Sequence, residues 1–371
     1  MGKRISGVHF LLLAGFLAIL GSTMSKSPTL PLYAESLGLG RSDIGLVAAA
    51  STVTGILVNF SSGLLSDLYG RRKLLIAGGF VFLSAPLLYF LADDALTLAL
   101  VRVYYGVATA IFVPVSFALV SDLYPDRKGT FMGFLSSATL AGRALAPLLA
   151  GSIIYFLGFP VVFLLCSITG MVVFLLSFRF PDTGRELEKF ELTFSKDLLI
   201  IGLLDASVYM AYQGIETFLP LFYYLQGRAW LSGLILTLEI SIMAVVKPYA
   251  GYLSDRIGRR KPIIIGMAMV GLAAFAFAFA SSLWAIVAGA IIFSIGASVS
   301  EASTKPLATE ISRLRGTALG FLESIKDIGQ AAGPVLIGFL GIRMGFLFVG
   351  VFGILSIGAF LMGRGRVGDE G

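Results

Sequence analysis

GLLSDLYGRRK, Gly63 to Lys73, returns 188 residues later as GYLSDRIGRRK, Gly251 to Lys261, differing only at Leu64/Tyr252, Leu68/Arg256 and Tyr69/Ile257. Each copy closes one long apolar stretch and opens the next, so it reads as a charged, glycine-containing hairpin between two helices. A hairpin repeated half a chain apart indicates two similar helical bundles, duplicated and fused. More of the halves align at nearly the same shift. Ser121-Asp122-Leu123 ahead of Lys128-Gly129-Thr130 matches Thr309-Glu310-Ile311 ahead of Arg315-Gly316-Thr317. GRALAPLLAG, Gly142 to Gly151, matches GQAAGPVLIG, Gly329 to Gly338. Small residues four apart, Gly142 with Ala146 and Gly329 with Gly333, let neighbouring helices approach closely, and the adjoining proline kinks the helix there.

Composition sets the solvent. Hydrophobic residues make up 57% of the 371 and charged residues 13%, with mean hydropathy +0.91, where a soluble domain carries about 25% charge. Such a surface belongs in a lipid bilayer, which is the first expected partner. The single cysteine, Cys166, excludes an internal disulfide, and the single histidine, His9, excludes histidine-cluster metal sites. No GxxxxGK[ST] phosphate loop is present, so nothing in the sequence points to ATP as a power source. Lys3-Arg4 before an apolar stretch imitates a signal peptide. The stretch is too long and no A-x-A follows it, so it is expected to be the first span.

A spanning helix needs ~20 apolar residues. Cutting at charged or Pro/Gly-rich breaks predicts twelve, roughly 8–33, 43–63, 73–92, 96–121, 130–157, 160–180, 197–225, 231–252, 262–281, 283–309, 316–340 and 344–363. The fold class expected is therefore all-α and integral to the membrane, with bundles at 1–180 and 197–371 joined by a polar linker at 181–196. With both termini inside, the predicted cytoplasmic segments hold 19 Lys and Arg and the external ones 3, Arg41, Arg228 and Arg343. That bias predicts cytoplasmic termini and residence in the cell membrane. It also accounts for the net charge of +6 without a nucleic-acid partner.

Twelve charges lie inside the predicted spans: Lys26, Arg102, Arg143, Lys247, Lys305 and Lys326, with Asp205, Glu216, Glu239, Glu301, Glu323 and Asp327. Each would cost roughly 2.5–3.5 kcal/mol facing lipid at mid-bilayer, so they must face one another or water. The first half contributes three bases and no acid, the second three bases against six acids. Glu301 and Lys305, four apart in the acid-first order, are expected to pair. Glu323, Lys326 and Asp327 share one helix face with two acids to one base, which leaves a surplus carboxylate there as a candidate proton carrier. Glu216 and Glu239 have no base nearby in sequence and are equal candidates. Asp205, Lys247 and Asn59 read as hydrogen-bonded packing residues, with Asn59 and Lys247 at equivalent positions 188 apart.

These features resemble the major facilitator superfamily, and the resemblance runs over essentially the whole chain. The family's hairpin motif, G-x-L-[SA]-D-[RK]-x-G-R-[RK]-[RK], is matched by Gly63, Leu65, Ser66, Asp67, Gly70, Arg71, Arg72 and Lys73, with Leu68 where a basic residue is usual. The second copy matches throughout, with Gly251, Leu253, Ser254, Asp255, Arg256, Gly258, Arg259, Arg260 and Lys261. Arg102 and Gly106 resemble the family's fourth-span arginine motif. GRALAPLLAG resembles the G-x-x-x-G-P-x-x-G-G motif of proton antiporters, with Ala146 and Ala150 in place of glycines and an unusual Arg143.

The resemblance implies twelve helices in two pseudo-symmetric six-helix bundles and a secondary transporter rather than an enzyme. It makes Asp67 and Asp255 parts of a cytoplasmic latch, with Arg71, Arg72, Arg259 and Arg260 beside them. It also places Tyr104, Tyr105, Tyr209, Tyr212 and Gln213 on spans that usually line the cavity. The leading expectation is proton-coupled efflux of a small organic molecule by a monomer, with the proton as coupling ion and no other cofactor. The alternative is a symporter importing a sugar-like or anionic metabolite gripped by Lys26, Arg102 and Arg143.

Overall fold

A computed structural model describes residues 2–183, 196–311 and 315–362, and these are helical with no β-strand among them. The order is α1 (Gly2–Lys26), α2 (Thr29–Ser36), α3 (Arg41–Tyr69), α4 (Arg71–Leu88), α5 (Ala95–Leu123), α6 (Lys128–Leu157), α7 (Phe159–Ser177), α8 (Lys196–Phe218), α9 (Ala229–Ile257), α10 (Arg260–Ala278), α11 (Leu283–Ile311), α12 (Arg315–Leu340) and α13 (Ile342–Met362). Eleven segments among the described residues are long and apolar enough to cross a bilayer. The twelfth, α12, is 26 residues long but carries Glu323, Lys326 and Asp327 close together. Most of the expected linker, residues 184–195, lies outside the described residues.

Single glycines separate several consecutive helices. Gly70, Gly158 and Gly341 take φ of 95°, 84° and 80°, a conformation open to glycine without a Cβ penalty, so one residue reverses the chain where a longer loop would otherwise be needed. Two expected spans differ from the observed helices. The first is broken at Ser27-Pro28, because proline has no N–H to continue the ladder, and it resumes as the short α2. The seventh ends at Phe218 and continues to Leu225 in 3₁₀ turns around Pro220. At the head of α5, Asp94 and Thr97 form a reciprocal capping box that satisfies orphan N–H groups.

The chain divides into two compact units, residues 1–188 with 225–237, and residues 189–224 with 238–371. The short stretch 225–237 joins the first unit because the start of α9 lies on α6. A Cβ at Gly233 would stand 2.1 Å from the Pro147 carbonyl oxygen, one at Gly151 2.3 Å from that of Ala229. The duplication shows in which helices pair. In the first unit α4 packs on α5 and α7, and α1 on α6; in the second α10 packs on α11 and α13, and α8 on α12. The small-residue motifs sit at the equivalent contacts. Gly142 meets the Phe16 carbonyl of α1, while Gly329 and Gly333 meet the Ala206 and Met210 carbonyls of α8. The packing expected of these stripes is the packing found.

Candidate functional site

The second unit gathers most of the membrane-embedded charge. Lys305 on α11 donates to Glu323 on α12 at 2.7 Å, and Lys326 bridges Glu323 and Asp327. Lys247 on α9 donates to Glu301 on α11 at 2.5 Å. Tyr209 on α8 links the two groups, its hydroxyl reaching Glu301 at a long 3.4 Å while Lys326 lies 4.8 Å over its ring. Asp205, buried at 1%, accepts from Thr304 Oγ1 at 2.7 Å. The result is a relay of ion pairs and hydroxyls drawn from α8, α9, α11 and α12, with three lysines against four carboxylates.

Two expected pairings are corrected by this arrangement. Glu301 pairs with Lys247 on a neighbouring helix rather than with Lys305 on its own, and Lys247 is thereby an ion-pair partner rather than a packing residue. Lys305 is the second base of the Glu323 group, so the surplus carboxylate read from α12 alone is neutralised from α11. The spacing rule describes a helix surface; here the shorter path runs across the helix–helix contact.

Glu239 and Glu216 lie apart from these lysines. Glu239 is 1% exposed, and neither carboxylate oxygen has a hydrogen-bond partner among the described residues. Glu216 is its buried electrostatic neighbour. Next to them on α8, Gln213 accepts from Gln330 of α12 at 3.1 Å.

In the first unit the three bases diverge. Arg102 is buried, Lys26 half-buried, and Arg143 exposed without an ion pair among the described residues. The side chains of Asn59 and Asp67 lie outside the described residues, as do the surroundings of Gly63.

The duplicated hairpins close on residues that their motif does not contain. Arg71 donates from Nε to Asp122 Oδ2 at 3.2 Å and from Nη1 to Ser66. Arg259 donates to Glu310 from Nε at 3.1 Å and Nη2 at 3.0 Å, and from Nη1 to Ser254 and Asp255. Thus the motif arginine ties its hairpin to the end of the next helix but one, α5 or α11. Asp122 and Glu310 were visible only as aligned acids of the repeat. At the first hairpin Thr183 also donates to Asp122 at 2.7 Å and accepts from the Arg71 backbone N–H at 3.0 Å. Arg72 and Arg260 make no ion pair among the described residues, and Gly251 has nothing within 4 Å of a built Cβ.

Comparison with known proteins agrees with this arrangement. The sequence model of the Major Facilitator Superfamily matches residues 11–238 and 206–370. An uncharacterized MFS-type transporter of Methanocaldococcus jannaschii is 25% identical over 378 residues, spanning 96% of this chain and 97% of that protein. Multidrug resistance protein MdtG of Proteus mirabilis is 25% identical over 370 residues, spanning 92% and 89%. A solved bacterial homolog of the human lysosomal transporter Spinster superposes with a TM-score of 0.80 at 16% identity, over 99% of both chains. The paired hairpins, the helical repeat and a family match across both halves place this chain in the major facilitator superfamily, a multi-pass membrane transporter rather than an enzyme.

Proposed function

We propose that this transporter is a proton-coupled exporter of small organic molecules, working as a monomer in the cell membrane with both termini in the cytoplasm. Glu239 carries the reading. A carboxyl buried in a membrane helix without a base or hydrogen-bond donor gains more from binding a proton than from remaining charged. Glu216 of α8, buried beside it, places a second carboxyl group in the same apolar surroundings. The lysine-paired Glu301, Glu323 and Asp327 are already neutralised and serve better as the fixed electrostatic frame. Similarity to a multidrug resistance protein over nine-tenths of the chain supports export of diverse small organic substrates.

Reconstitution into liposomes tests this directly, with ethidium and fluorescein as cationic and anionic probes. With an acidic lumen, exchange predicts that a probe accumulates inside as protons leave. Under the reversed gradient, with an acidic exterior, accumulation in parallel with proton entry would refute exchange and favour the symport alternative. Glu239→Gln should abolish accumulation against a gradient yet leave downhill probe exchange near the wild-type rate. Uphill accumulation by that variant would remove Glu239 from the proton path.

A further inference from the structure

A second buried charge has no role in that scheme. Arg102 sits two turns into α5 and is 4% exposed. Its Nη2 donates to Ser51 on α3 at 2.6 Å and its Nη1 reaches the Tyr89 hydroxyl beyond α4 at a long 3.4 Å. Its Nε–H has no acceptor, and it makes no ion pair among the described residues. One turn further along α5, the Tyr105 hydroxyl is likewise buried without a partner, beside Ser25 of α1 but short of hydrogen-bond geometry. Ser27, just past the end of α1, has a second unpartnered buried hydroxyl among the described residues. Cys166 of α7, a buried free cysteine, is an electrostatic neighbour of Tyr89 and Tyr105.

A guanidinium stays charged in any protein environment. The groups around this one can orient dipoles toward it, yet none can cancel its charge. The acids on or capping the enclosing helices, Asp43, Asp67, Asp94 and Asp122, stand near the helix ends in sequence, eight or more residues from Ser51 or Arg102. Burying a lone charge without a counter-charge is strongly unfavourable. An unused guanidinium N–H, with an unpartnered tyrosine hydroxyl one helical turn along, is the complement of an anion.

We propose that Arg102, with Ser51, Tyr89 and Tyr105, forms a binding site in the first unit for a small monovalent anion, a halide or the carboxylate of an organic acid. The site is separate from the proton pathway and does not depend on it. Its formal charge calls for one anion, and the hydroxyl donors suit a hydrogen-bond acceptor with no protons of its own. Occupancy would neutralise the buried charge and brace α3, α4 and α5 together, so the anion should be a structural ligand at rest.

The test uses the buried Cys166, the chain's one thiol, as reporter. Purified full-length protein is melted with a thiol-reactive dye at constant ionic strength in sodium chloride, sodium acetate or bulky sodium gluconate. Chloride or acetate should raise the midpoint saturably, by about 3–5 °C at a hundredfold excess over half-saturation. The anion that acts identifies the class. Arg102→Gln should lose the anion dependence. Tyr105→Phe, which keeps the charge and removes one donor, should raise the half-saturating concentration about tenfold, and it decides the matter should Arg102→Gln fail to melt cooperatively. Equal midpoints in all three salts for the wild type overturn the site, as does a Tyr105→Phe response identical to wild type.

Discussion

At the scale of single residues, the charges were legible in the sequence and their partners were not. A lysine or glutamate inside a twenty-residue apolar run announces itself, because lipid offers it no stabilisation. Which residue answers it depends on helix contacts made dozens of positions apart, as with Lys247 and Glu301. That pair is unequal: the lysine side chain is 44% exposed and the glutamate 2%. Removing the base therefore strands a buried carboxylate, whereas removing the acid releases a lysine that can turn toward water. Lys247→Met should destabilise by about 2–3 kcal/mol, below the range for fully buried pairs because the lysine is half solvated. Glu301→Gln should cost less than half of that, and the double variant should recover most of the loss. Thermal midpoints read from Cys166 labelling give the comparison; equal losses in the two single variants would contradict it.

At the scale of elements, hydropathy marked the helices well and their ends poorly. The break at Pro28 and the 3₁₀ exit from α8 both fall inside continuous apolar runs, where backbone hydrogen bonding, rather than polarity, decides the boundary. The glycine motifs were legible as close contacts, and the coordinates add a ranking that sequence cannot. Gly333 of α12 lies so near α8 that a Cβ would stand 2.2 Å from the Met210 carbonyl oxygen, while the hairpin's Gly251 has open space. Backbone cannot yield as a flexible side chain can, so the helices themselves must separate. Gly333→Ala should accordingly cost about 1–3 kcal/mol, whereas Gly251→Ala should be neutral or slightly stabilising through its better helix propensity. Melting midpoints of the two variants in the same detergent check the order, and a reversed ranking would show that α8 and α12 are not so closely seated.

At the scale of the whole molecule, the duplication implies two equivalent hairpin contacts, and among the described residues the two are tied differently. Both are internal to a unit, tying the hairpin α3–α4 to α5 and the hairpin α9–α10 to α11. Each thereby fixes the shape of its own hairpin. The repeat made Asp122 and Glu310 visible as aligned acids, yet Thr183 follows the sixth span and sits where the linker begins, a place with no counterpart in the motif. It gives Asp122 a second donor and clamps the Arg71 backbone, whereas among the described residues Glu310 accepts from Arg259 only. Each charge-assisted bond lost weakens the hairpin by an amount that depends on what else holds it. Asp122→Asn should therefore slow probe uptake into proteoliposomes by about tenfold and Glu310→Gln by about threefold, a factor of ten being 1.4 kcal/mol in the barrier. Neither should shift the melting midpoint by more than about 2 °C, since partly exposed ion pairs add little to stability. Initial rates of ethidium entry under a fixed pH gradient measure both. Unchanged rates in the two variants would reduce the hairpin arginines to anchors for membrane orientation, and a larger loss at Glu310 would place the controlling latch in the second unit.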